Sequence, residues 1–467
     1  MKITFSGAAK TVTGSKHLIQ LWDNKQIMLD CGMYQGMGKE THALNAEEFA
    51  DPSSVMAILL SHAHIDHSGL IPKFVKDGFK GAIFCTEATF ALCEIMLRDS
   101  AYIQEADARY SNRRNNRDEN SAQEPLYTHE DVMQALDQFI IIEENKTIPI
   151  IDGIKAKFIP NGHILGSAAI YLEIDEISEQ HTLLYTADIG RFDATLMKDP
   201  ERPPQADYII CESTYGDRLH DYTVHAEQEL LNVALHTLKE KRGKLIIPAF
   251  SLGRTQELVF ALNKLNLHGL LSDVMVFVDS PLAIDATQIM QKYSHLLNRK
   301  VQRFIRGERS DPFGFNKLIY VREKEHSQRL NTLDKPCIII SASGMADSGR
   351  VKHHIYHAIE DPKNTILFVG YAEPNSLAGR LQSGDELVTI YGDERKVNAE
   401  IQYIKSLSAH ADYQEMMRYL SENNSGRVKR LFLVHGEEKV AENFKAHLAE
   451  NGYLNVVIPD KGWTFST

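Results

Sequence analysis

Four side chains that commonly bind metals fall within one run of six residues, His-Ala-His-Ile-Asp-His at positions 62–67. The run follows an apolar segment that predicts a buried strand. On an extended segment, residues two apart point the same way, so His62 and His64 can bind one metal ion. Asp66 and His67, where the chain turns into a helix, can bind a second. Imidazole and carboxylate groups suit zinc, and burying them without a metal is costly. The run therefore predicts a hydrolase site with two zinc ions.

Three further residues of suitable type follow predicted strands: His163 in Asn-Gly-His, Asp188 in Thr-Ala-Asp and His435 in Val-His-Gly. Glycines close to them in sequence permit close approach of the backbone. A lone histidine at a strand end is more often an ordinary structural residue. Each of the three alone therefore supports the metal site only weakly.

Strands and helices must position these residues, and the hydropathy pattern that predicts them changes along the chain. Its first part predicts short strands separated by turn signals, with helices at 89–110 and 129–139. The strands predicted there are 3–6, 17–21, 26–29, 56–60, 82–85, 155–159, 169–174, 183–186 and 208–211. Beyond about residue 210, continuous apolar strands alternate with helices, which predicts a parallel sheet covered on both faces. Those strands are 244–248, 274–278, 337–341 and 365–369.

Beyond about residue 395 the pattern changes once more. We expect a helix at 397–406, another after residue 412, a strand at 430–434 and a helix at 438–450. The segment 111–123 is polar and rich in arginine, which predicts a loop or a mobile helix end.

Length and composition limit the class of protein. A chain of 467 residues is too long for one ordinary core, so we expect two domains. The amino terminus lacks the apolar core of a signal peptide, and the apolar runs are far shorter than a membrane span. The five cysteines are scattered without a Cys-x-x-Cys pair, as expected for reduced thiols. We therefore expect a soluble, cytoplasmic protein with no membrane partner.

The formal net charge of −12 argues against nucleic acid as a partner, but the charge is uneven. In the segment 299–335, basic residues outnumber acidic ones, and Phe304, Phe313, Phe315 and Tyr320 lie among them. Basic and aromatic side chains together can bind phosphates and stack on bases. The alternative, a solvated face with aromatic residues in the core, is the more common origin of such a pattern.

Taken together, the candidate ligands resemble the motifs of the metallo-β-lactamase superfamily. Asp30 in Leu-Asp-Cys-Gly matches the first motif, residues 62–67 the second, His163 the third and Asp188 the fourth. The resemblance implies that Asp30 orients the ligands rather than binding metal itself. The zinc ligands that it implies are His62, His64 and His163 for one ion, Asp66, His67 and His435 for the other, and Asp188 for both.

The rest of the chain resembles one branch of that superfamily, the β-CASP nucleases, in which a cap domain is inserted into the lactamase fold. Glu212 in Cys-Glu-Ser-Thr-Tyr-Gly matches the first motif of the branch, His410 in Ser-Ala-His-Ala-Asp the second, and His435 the third. The layout is similar to bacterial homologues of the nuclease subunit of the cleavage and polyadenylation specificity factor. Because RNA-directed members have His rather than Val as the third motif, His435 implies RNA as the substrate, single-stranded in our expectation.

The implied fold is α/β: an αββα metallo-β-lactamase sandwich with an inserted β-CASP domain built on a parallel sheet with flanking helices. The implied domains are 1–208 for the first part of the lactamase domain, 209–395 for the cap and 396–467 for the final part.

The resemblance also implies a mechanism, in which a hydroxide bridging the two metals attacks phosphorus. Asp66, Glu212 and His410 are the catalytic residues that we expect. His410 would protonate the leaving oxygen, and Glu212 would hold His410 charged and oriented. The alternative for His410 is a phosphate contact at a helix start, without proton transfer.

Three loops of the cap are candidates for binding RNA, because each joins a strand to a helix or resembles a segment of the branch. Ordinary strand-to-helix turns explain them equally well. The candidate substrate-binding residues are Ser251, Arg254, Ser341, Ser343, Gly344 and Arg380.

The sequence leaves several alternatives open. A small-molecule ester or thioester hydrolase can use the same zinc site, although Glu212 and His410 then have no evident purpose. A DNA-directed nuclease and a metal-free scaffold are the other readings. Endonuclease action is our main expectation, with 5′-exonuclease action as an addition, and only the resemblance suggests a homodimer.

Overall fold

The computed structural model describes residues 1–21, 23–114, 124–176, 179–220, 226–307, 310–370, 372–404 and 408–467. The chain divides into two compact units. The first unit comprises Met1–Phe192, Asp199–Leu219 and His410–Thr467, and the second comprises Asp193–Lys198 and His220–Ala409.

The strands follow in chain order. Within the described residues they are β1 (Lys2–Phe5), β2 (His17–Gln20), β3 (Gln26–Leu29), β4 (Val55–Leu59), β5 (Ala82–Thr86), β6 (Phe139–Ile142), β7 (Thr147–Ile151), β8 (Ile154–Pro160), β9 (Ala168–Asp175), β10 (Gln180–Tyr185), β11 (Tyr208–Glu212), β12 (Leu245–Pro248), β13 (Met275–Val278), β14 (Leu318–Tyr320), β15 (Cys337–Ser341), β16 (Thr365–Phe368), β17 (Leu387–Ile390), β18 (Asp393–Lys396), β19 (Glu400–Tyr403), β20 (Arg430–Val434), β21 (Val456–Val457) and β22 (Thr464–Ser466).

The α-helices are numbered in the same way. Within the described residues they are α1 (Thr41–Ala46), α2 (Ile65–Ser68), α3 (Ile71–Lys76), α4 (Glu87–Arg114), α5 (His129–Leu136), α6 (Ala226–Leu235), α7 (Arg254–Leu267), α8 (Pro281–Lys292), α9 (Arg299–Gly307), α10 (Lys324–Thr332), α11 (Gly349–Ala358), α12 (Leu377–Gln382), α13 (Tyr413–Leu420) and α14 (Glu438–Glu450).

The first unit contains two seven-stranded sheets, ordered β22-β1-β2-β3-β4-β5-β6 and β21-β20-β11-β10-β9-β8-β7. Their inner faces share one buried core, to which Phe5, Ile27 and Leu59 contribute from one sheet and Phe158 and Leu172 from the other. A second core packs α13 and α14 against the outer face of the second sheet. On the first sheet, α4 contacts β5 and β6. The layers therefore run helix, sheet, sheet, helix, which confirms the predicted αββα sandwich.

Strand direction in the second sheet brings four chain segments to one edge. β10, β11 and β20 are mutually parallel neighbours. β8 runs in the same direction as β10 because each is antiparallel to β9 between them. The segments that follow β8, β10, β11 and β20 therefore leave the sheet at the same edge.

The second unit is built on a six-stranded sheet of order β14-β13-β15-β12-β16-β19. Each neighbouring pair in this sheet is parallel. Its central strands are fully buried, as the continuous apolar runs predicted. The predicted parallel sheet with flanking helices is confirmed.

The unit boundaries differ from the predicted domain limits for a reason of strand pairing. Residue 208 begins β11, which pairs with β10 and β20 of the first unit, so the first unit continues to Leu219. At the other end, β19 pairs with β16 of the second unit, so that unit continues to Ala409.

The expected helix at 397–406 is wrong. Residues Glu400–Tyr403 form β19, an edge strand beside β16. The apolar residues of this segment fit a helical period and a strand period alike, and pairing with the exposed edge of a parallel sheet favoured the strand. Residues 405–407 lie outside the described residues, as does most of the expected loop at 111–123; its first residues, 111–114, end α4.

Candidate metal centre

The run at 62–67 emerges directly from the buried strand β4. His62 and His64 lie two residues apart on extended backbone. Helix α2 then begins at Ile65, so that Asp66 and His67 lie in its first turn. The Oγ of Ser68 donates to the backbone oxygens of Ala63 and His64 and fixes the start of this short helix. The change from strand to helix within the run turns its side chains in two directions, as expected.

One set of ligand atoms comes from His62, His64, His163 and Asp188. The Nε2 atoms of His62 and His163 each lie 3.2 Å from Nδ1 of His64. The same two atoms lie 3.5 and 3.4 Å from Oδ2 of Asp188. These four atoms therefore face a common point.

A second set comes from Asp66, His67 and His435. The Nε2 atoms of His67 and His435 are 3.2 Å apart, and Nε2 of His435 lies 3.3 Å from Oδ2 of Asp66. Oδ1 of Asp188 lies 3.2 Å from His67 and 3.6 Å from His435, so this carboxylate turns one oxygen to each set. The structure thus brings together all seven predicted ligands, and Asp188 stands between the two groups.

The spacing of these atoms fits metal ions better than hydrogen bonds. A tetrahedral ion with ligands at about 2.0–2.1 Å keeps them about 3.3 Å apart. The separations above lie close to that value. Oδ1 of Asp188 is buried and has no hydrogen-bond partner among the described residues, which an ion would supply. The donor set of imidazoles and carboxylates therefore fits zinc.

The protonation of the histidines also suits metal binding. Burial lowers the pKa of His62 and of His163 well below the ordinary value, and it lowers the pKa of His64 to about 4. These imidazoles are therefore neutral near pH 7 and offer a lone pair. Burial also opposes charge on His67, but Asp188 and Asp30 outweigh it and raise the pKa of His67, so metal binding there releases a proton.

Asp30 holds several residues behind the ligands. Its Oδ2 accepts from the hydroxyls of Ser61 and Tyr185, each at 2.7 Å, and contacts Nδ1 of His67 at 2.6 Å. Its Oδ1 accepts from the backbone N–H of Ser61. Asp30 is fully buried and lies behind His67, so its contacts agree with the predicted orienting role.

Sequence reasoning missed three hydroxyl groups that contact this network. The Oγ of Ser61 lies 3.0 Å from Nδ1 of His62, and Oγ1 of Thr214 lies 3.0 Å from Nδ1 of His435. The third is the hydroxyl of Tyr185. Ser61 and Thr214 leave the Nε2 of their histidine directed at the centre, and Tyr185 donates to Asp30, which contacts His67; the residue types alone carry no signal. Only their positions, next to a ligand or at the end of a neighbouring strand, could have indicated them.

Sequence reasoning also missed the buried Lys16, which is 1% exposed. Its ammonium group donates to the backbone oxygens of Gly14 and Gly32 and lies 4.2 Å from the ring centre of Tyr34. Burial lowers the pKa of Lys16 to about 8. This lysine ties together two loops, one of which continues from Asp30.

The backbone around the centre adopts uncommon conformations. Asp30, Ala187 and His435 have φ values of 56°, 47° and 51°, in the left-handed region. A Cβ on Gly190 would lie 2.0 Å from the carbonyl carbon of Gly162, so only glycine lets the loops that carry His163 and Asp188 meet. Non-glycine residues with such positive φ values often lie at functional sites.

Glu212 and His410 form a pair beside the ligands. Glu212 ends β11 and is 1% exposed; one carboxylate oxygen accepts from the backbone N–H of Ile189, and the other lies 3.0 Å from Nδ1 of His410. Burial opposes a charge on His410, but Glu212, Asp188 and Asp66 together raise the pKa of His410 to about 9. The imidazolium is therefore the stable form near neutral pH.

The position of His410 is set by elements on both sides. A backbone bridge joins it to Gly190, and the next residue, Ala411, donates to the oxygen of Ile189. α13 then begins after Asp412, whose side chain accepts from the backbone of Glu415 in the predicted capping box. The ring centre of His410 lies 4.5 Å from that of His163.

In the second unit, the candidate substrate residues are largely engaged with their own fold. The guanidinium of Arg254 pairs with Glu257, and Nε of Arg380 donates to Asp385 at 2.9 Å. The buried Oγ of Ser341 donates to a backbone oxygen at 2.7 Å.

The remaining candidates lie in loops of the same unit. The Oγ of Ser251 lies 3.2 Å from that of Ser280. Ser343 and Gly344 are partly exposed, and a Cβ on Gly344 would meet the ring of Phe250 at 2.9 Å. A role of all six residues in substrate binding stays a prediction.

The aromatic residues of the segment 299–335 are buried or half-buried in the second unit. Phe313 is fully buried, the ring centre of Phe304 lies 5.1 Å from that of Phe260, and the hydroxyl of Tyr320 donates to the oxygen of Phe313. Phe315 is half-buried. The interleaved pattern is thus mostly the common one, aromatic residues packed beneath exposed basic residues.

Two broader expectations can be compared with the structure. Across the part of the chain that is described, no helix is both long and apolar enough to cross a bilayer. The five cysteines are all buried and form no disulfide.

Comparison with known families gives three matches along the chain. Residues 17–143 match the metallo-beta-lactamase superfamily, residues 255–381 match the Beta-Casp domain, and residues 394–459 match the Zn-dependent metallo-hydrolase RNA specificity domain. The second match lies within the second compact unit, and the third begins at β18 and continues through β20 and α14.

Several curated proteins are similar over almost the whole chain. Ribonuclease TTHA0252 of Thermus thermophilus is 33% identical over 441 residues, covering 94% of each chain. An RNase J-like protein of Methanocaldococcus jannaschii is 30% identical, over 94% of this chain and 93% of the relative. Cleavage and polyadenylation specificity factor 73 of Drosophila melanogaster is 29% identical over 95% of this chain, which spans 60% of that longer protein.

A solved structure of a protein of unknown function from Enterococcus faecalis V583 also matches. It covers 99% of both chains with a TM-score of 0.52 and 12% sequence identity. At this identity the similarity concerns the fold alone.

Proposed function

Because the chain belongs to the β-CASP branch of the metallo-β-lactamase superfamily, we propose that it is a zinc-dependent ribonuclease that hydrolyses RNA phosphodiester bonds. The observation that carries the proposal is the convergence of two ligand sets on Asp188, with the Glu212–His410 pair beside them. A dinuclear centre next to a charged histidine suits cleavage of a phosphodiester.

RNA is the proposed substrate because of the relatives and one motif residue. The similar proteins include named ribonucleases, and one matching family is described as an RNA specificity domain. The resemblance that assigns RNA to members with a histidine in the third motif points the same way, through His435.

The proposed cofactor is two zinc ions per chain. His62, His64 and His163 would hold one, Asp66, His67 and His435 the other, and Asp188 both. When bound, such a pair activates water and neutralises the charge on phosphoryl oxygens. Asp30, Ser61, Tyr185 and Thr214 keep the ligand atoms directed at one place, which is the contribution of the chain itself.

His410 is the proposed general acid. Glu212 accepts from Nδ1, which fixes the ring and leaves the Nε2 proton of the imidazolium as the one for transfer. The attacking water gives up one proton to solvent as its oxygen bonds to phosphorus, and when the phosphorus–oxygen bond to the leaving nucleoside breaks, the leaving oxygen takes the Nε2 proton of His410. Reprotonation of Nε2 from solvent then restores His410 as an acid, and the adjacent carboxylate of Glu212 favours the charged form.

Substrate contacts, location and assembly belong to the same proposal. Ser251, Arg254, Ser341, Ser343, Gly344 and Arg380 are proposed to contact a single strand of RNA. The buried, unpaired cysteines support a cytoplasmic enzyme, and the resemblance supports a homodimer.

The decisive experiment compares substrates on zinc-loaded protein. RNA labelled at the 5′ or 3′ end, DNA of the same sequence, and p-nitrophenyl esters and thioesters are incubated in parallel. We expect cleavage of RNA with internal fragments from both labels; release of 5′ mononucleotides would add 5′-exonuclease action. Ester turnover without RNA cleavage would instead establish the small-molecule hydrolase, and equal cleavage of DNA would overturn the RNA preference.

A second measurement tests the metal. Zinc per chain, measured by inductively coupled plasma mass spectrometry after dialysis, should approach two. Full activity with one equivalent of zinc would overturn the dinuclear assignment.

A further inference from the structure

Helix α9 of the second unit presents basic side chains to solvent. Arg299, Lys300, Arg303 and Arg306 are exposed, whereas Val301 is fully buried. The helix itself contains no acidic residue. In a chain with a net charge of −12, this nine-residue helix is a local excess of positive charge.

Among the described residues, the arginines of α9 form no ion pair, in contrast to two arginines of α4. On α4, Arg98 pairs with Glu94 at 3.0 Å and Arg109 with Glu105 at 3.3 Å. On α9, only Lys300 has an acidic neighbour among the described residues, the exposed Asp193 at 3.7 Å. Like charges one turn apart destabilise a helix, so this arrangement does not serve folding.

The helix is nevertheless fixed in place. The side chain of Asn298 caps its start by accepting from the N–H of Val301 and donates to the backbone of Ala194, in the same unit. Phe304 packs edge-to-face against Phe260 of α7. The exposed basic side chains therefore extend from a helix that is fixed by packing and by hydrogen bonds.

The spacing of the arginines suits a strand of phosphates. Positions 299, 303 and 306 are separated by four and three residues, so the three side chains form one stripe along the helix. At 1.5 Å per residue the stripe is roughly 10 Å long, comparable to the reach of two or three successive phosphates on an extended strand. Guanidinium groups bind phosphate oxygens in pairs of hydrogen bonds.

We propose that the face of α9 formed by Arg299, Arg303 and Arg306 is a docking site for the phosphate backbone of single-stranded RNA. This inference rests on the proposed ribonuclease function and names a surface through which the enzyme holds its substrate. The positive charge of this surface favours a polyanion. Because the aromatic residues of the region lie largely inside the unit and few are free to stack on bases, we expect binding to be independent of base sequence.

The test replaces the three arginines together, as R299Q/R303Q/R306Q. Glutamine keeps the helix propensity and removes three charges. The matched control is R98Q/R109Q/R202Q, which removes three arginines that already have acidic partners; Arg109 and Arg202 are exposed and Arg98 is half-buried. Both variants change the net charge equally, so a difference between them in RNA binding reflects the position of the arginines that were replaced.

Binding is measured by fluorescence anisotropy with a labelled 20-nucleotide RNA carrying phosphorothioate linkages, at several salt concentrations. For single strands, the slope of log affinity against log salt is about 0.7 per phosphate contact, so the α9 variant should lose about 2 from its slope. We expect KM for RNA to rise about tenfold at low salt with little change in kcat. The control should keep both values.

A small phosphodiester separates the two proposals. Bis(p-nitrophenyl) phosphate has no strand to engage α9, so its hydrolysis should be equal in the unmodified protein and both variants, which also reports intact folding. An α9 variant with the same salt slope and KM as the control would overturn the docking site. Failure of the unmodified protein to cleave RNA would overturn the ribonuclease proposal instead, whatever the binding data show.

Discussion

Each unit buries an aspartate among polar side chains, but the two carboxylates differ in whether hydrogen-bond donors of the protein surround them. In the second unit, Asp279 accepts from Ser327 at 2.5 Å and Arg350 at 2.6 Å and contacts Nε2 of His354 at 2.7 Å. In the first, the carboxylate of Asp188 faces imidazole nitrogens that also face one another, and its Oδ1 has no hydrogen-bond partner among the described residues.

The difference separates a structural cluster from a site. A buried carboxylate with donors on both oxygens is already stabilised by the protein, as Asp279 is. The carboxylate oxygens of Asp188 lie 3.2–3.6 Å from four imidazole nitrogens, and burial keeps those of His62 and His163 neutral, so a cation stabilises this carboxylate further. Unsatisfied, converging lone pairs therefore indicate the metal centre more reliably than burial or residue type.

The largest expected effect comes from Asp188→Asn. We expect loss of bound zinc and at least about a 10³-fold fall in kcat/KM for RNA, because several kcal/mol of charge stabilisation are lost. Metal content and initial rates are the measurements. Retention of zinc and of activity in this variant would show that Asp188 is a structural residue like Asp279.

His410→Ala should separate chemistry from metal binding. The variant should keep both zinc ions and lose about 10²–10⁴-fold in kcat, the usual contribution of a general acid. A substrate with a p-nitrophenolate leaving group needs no proton, so its cleavage should fall much less. Loss of zinc from this variant would show that His410 binds metal instead.

Asp279→Asn, the same substitution in the other unit, should act on stability alone. We expect it to cost about 3 kcal/mol, because Arg350 and His354 lose a buried partner. Hydrogen exchange of the amides in β13 and β15, followed by mass spectrometry, measures the change, and zinc content should be unaltered.

The pH dependence of that cost has a definite sign. Burial raises the pKa of Asp279, but hydrogen bonds from His354, Ser327 and Arg350 outweigh it and lower the pKa below its ordinary value. The stabilisation is therefore complete above about pH 4 and is lost as the pH falls through the lowered pKa. A difference between variant and parent that grows on acidification would contradict this account.

Tyr185→Phe should give the smallest effect. It removes one hydrogen bond to Asp30 and should weaken zinc binding about tenfold, as changes behind metal ligands commonly do. Competition with a coloured chelator measures the affinity. An unchanged affinity would mean that Ser61 and His67 hold Asp30 sufficiently.

The sequence predicted the local part of the centre better than the distant part. Spacing alone placed His62 and His64 on one side of an extended segment, because the strand period is two. Nothing local joins them to His163 or His435, since strand pairing across long separations brings these residues together. The resemblance to a known family supplied those partners, and the structure places their atoms within reach of one another.

Pairing across the fold also explains what the sequence could not predict. Arg254 and Arg380 were expected to contact substrate, and the sequence did not indicate that Glu257 and Asp385 lie close enough to pair with them. The segment at 397–406 carried a helical pattern, yet an open sheet edge beside it decided for β19. Ser61, Tyr185 and Thr214 are residue types with no particular link to metal binding, and only the folded backbone places them behind the ligands.

The distance along the chain between His67 and His435 has a consequence for biosynthesis. Their Nε2 atoms touch the same centre although 368 residues separate them. A ribosome adding about 5–20 residues per second needs on the order of 20 to 70 s to pass from one to the other. Throughout that interval the nascent protein carries only part of the ligand set, so the proposed metal centre can be completed only after His435 has been added to the chain.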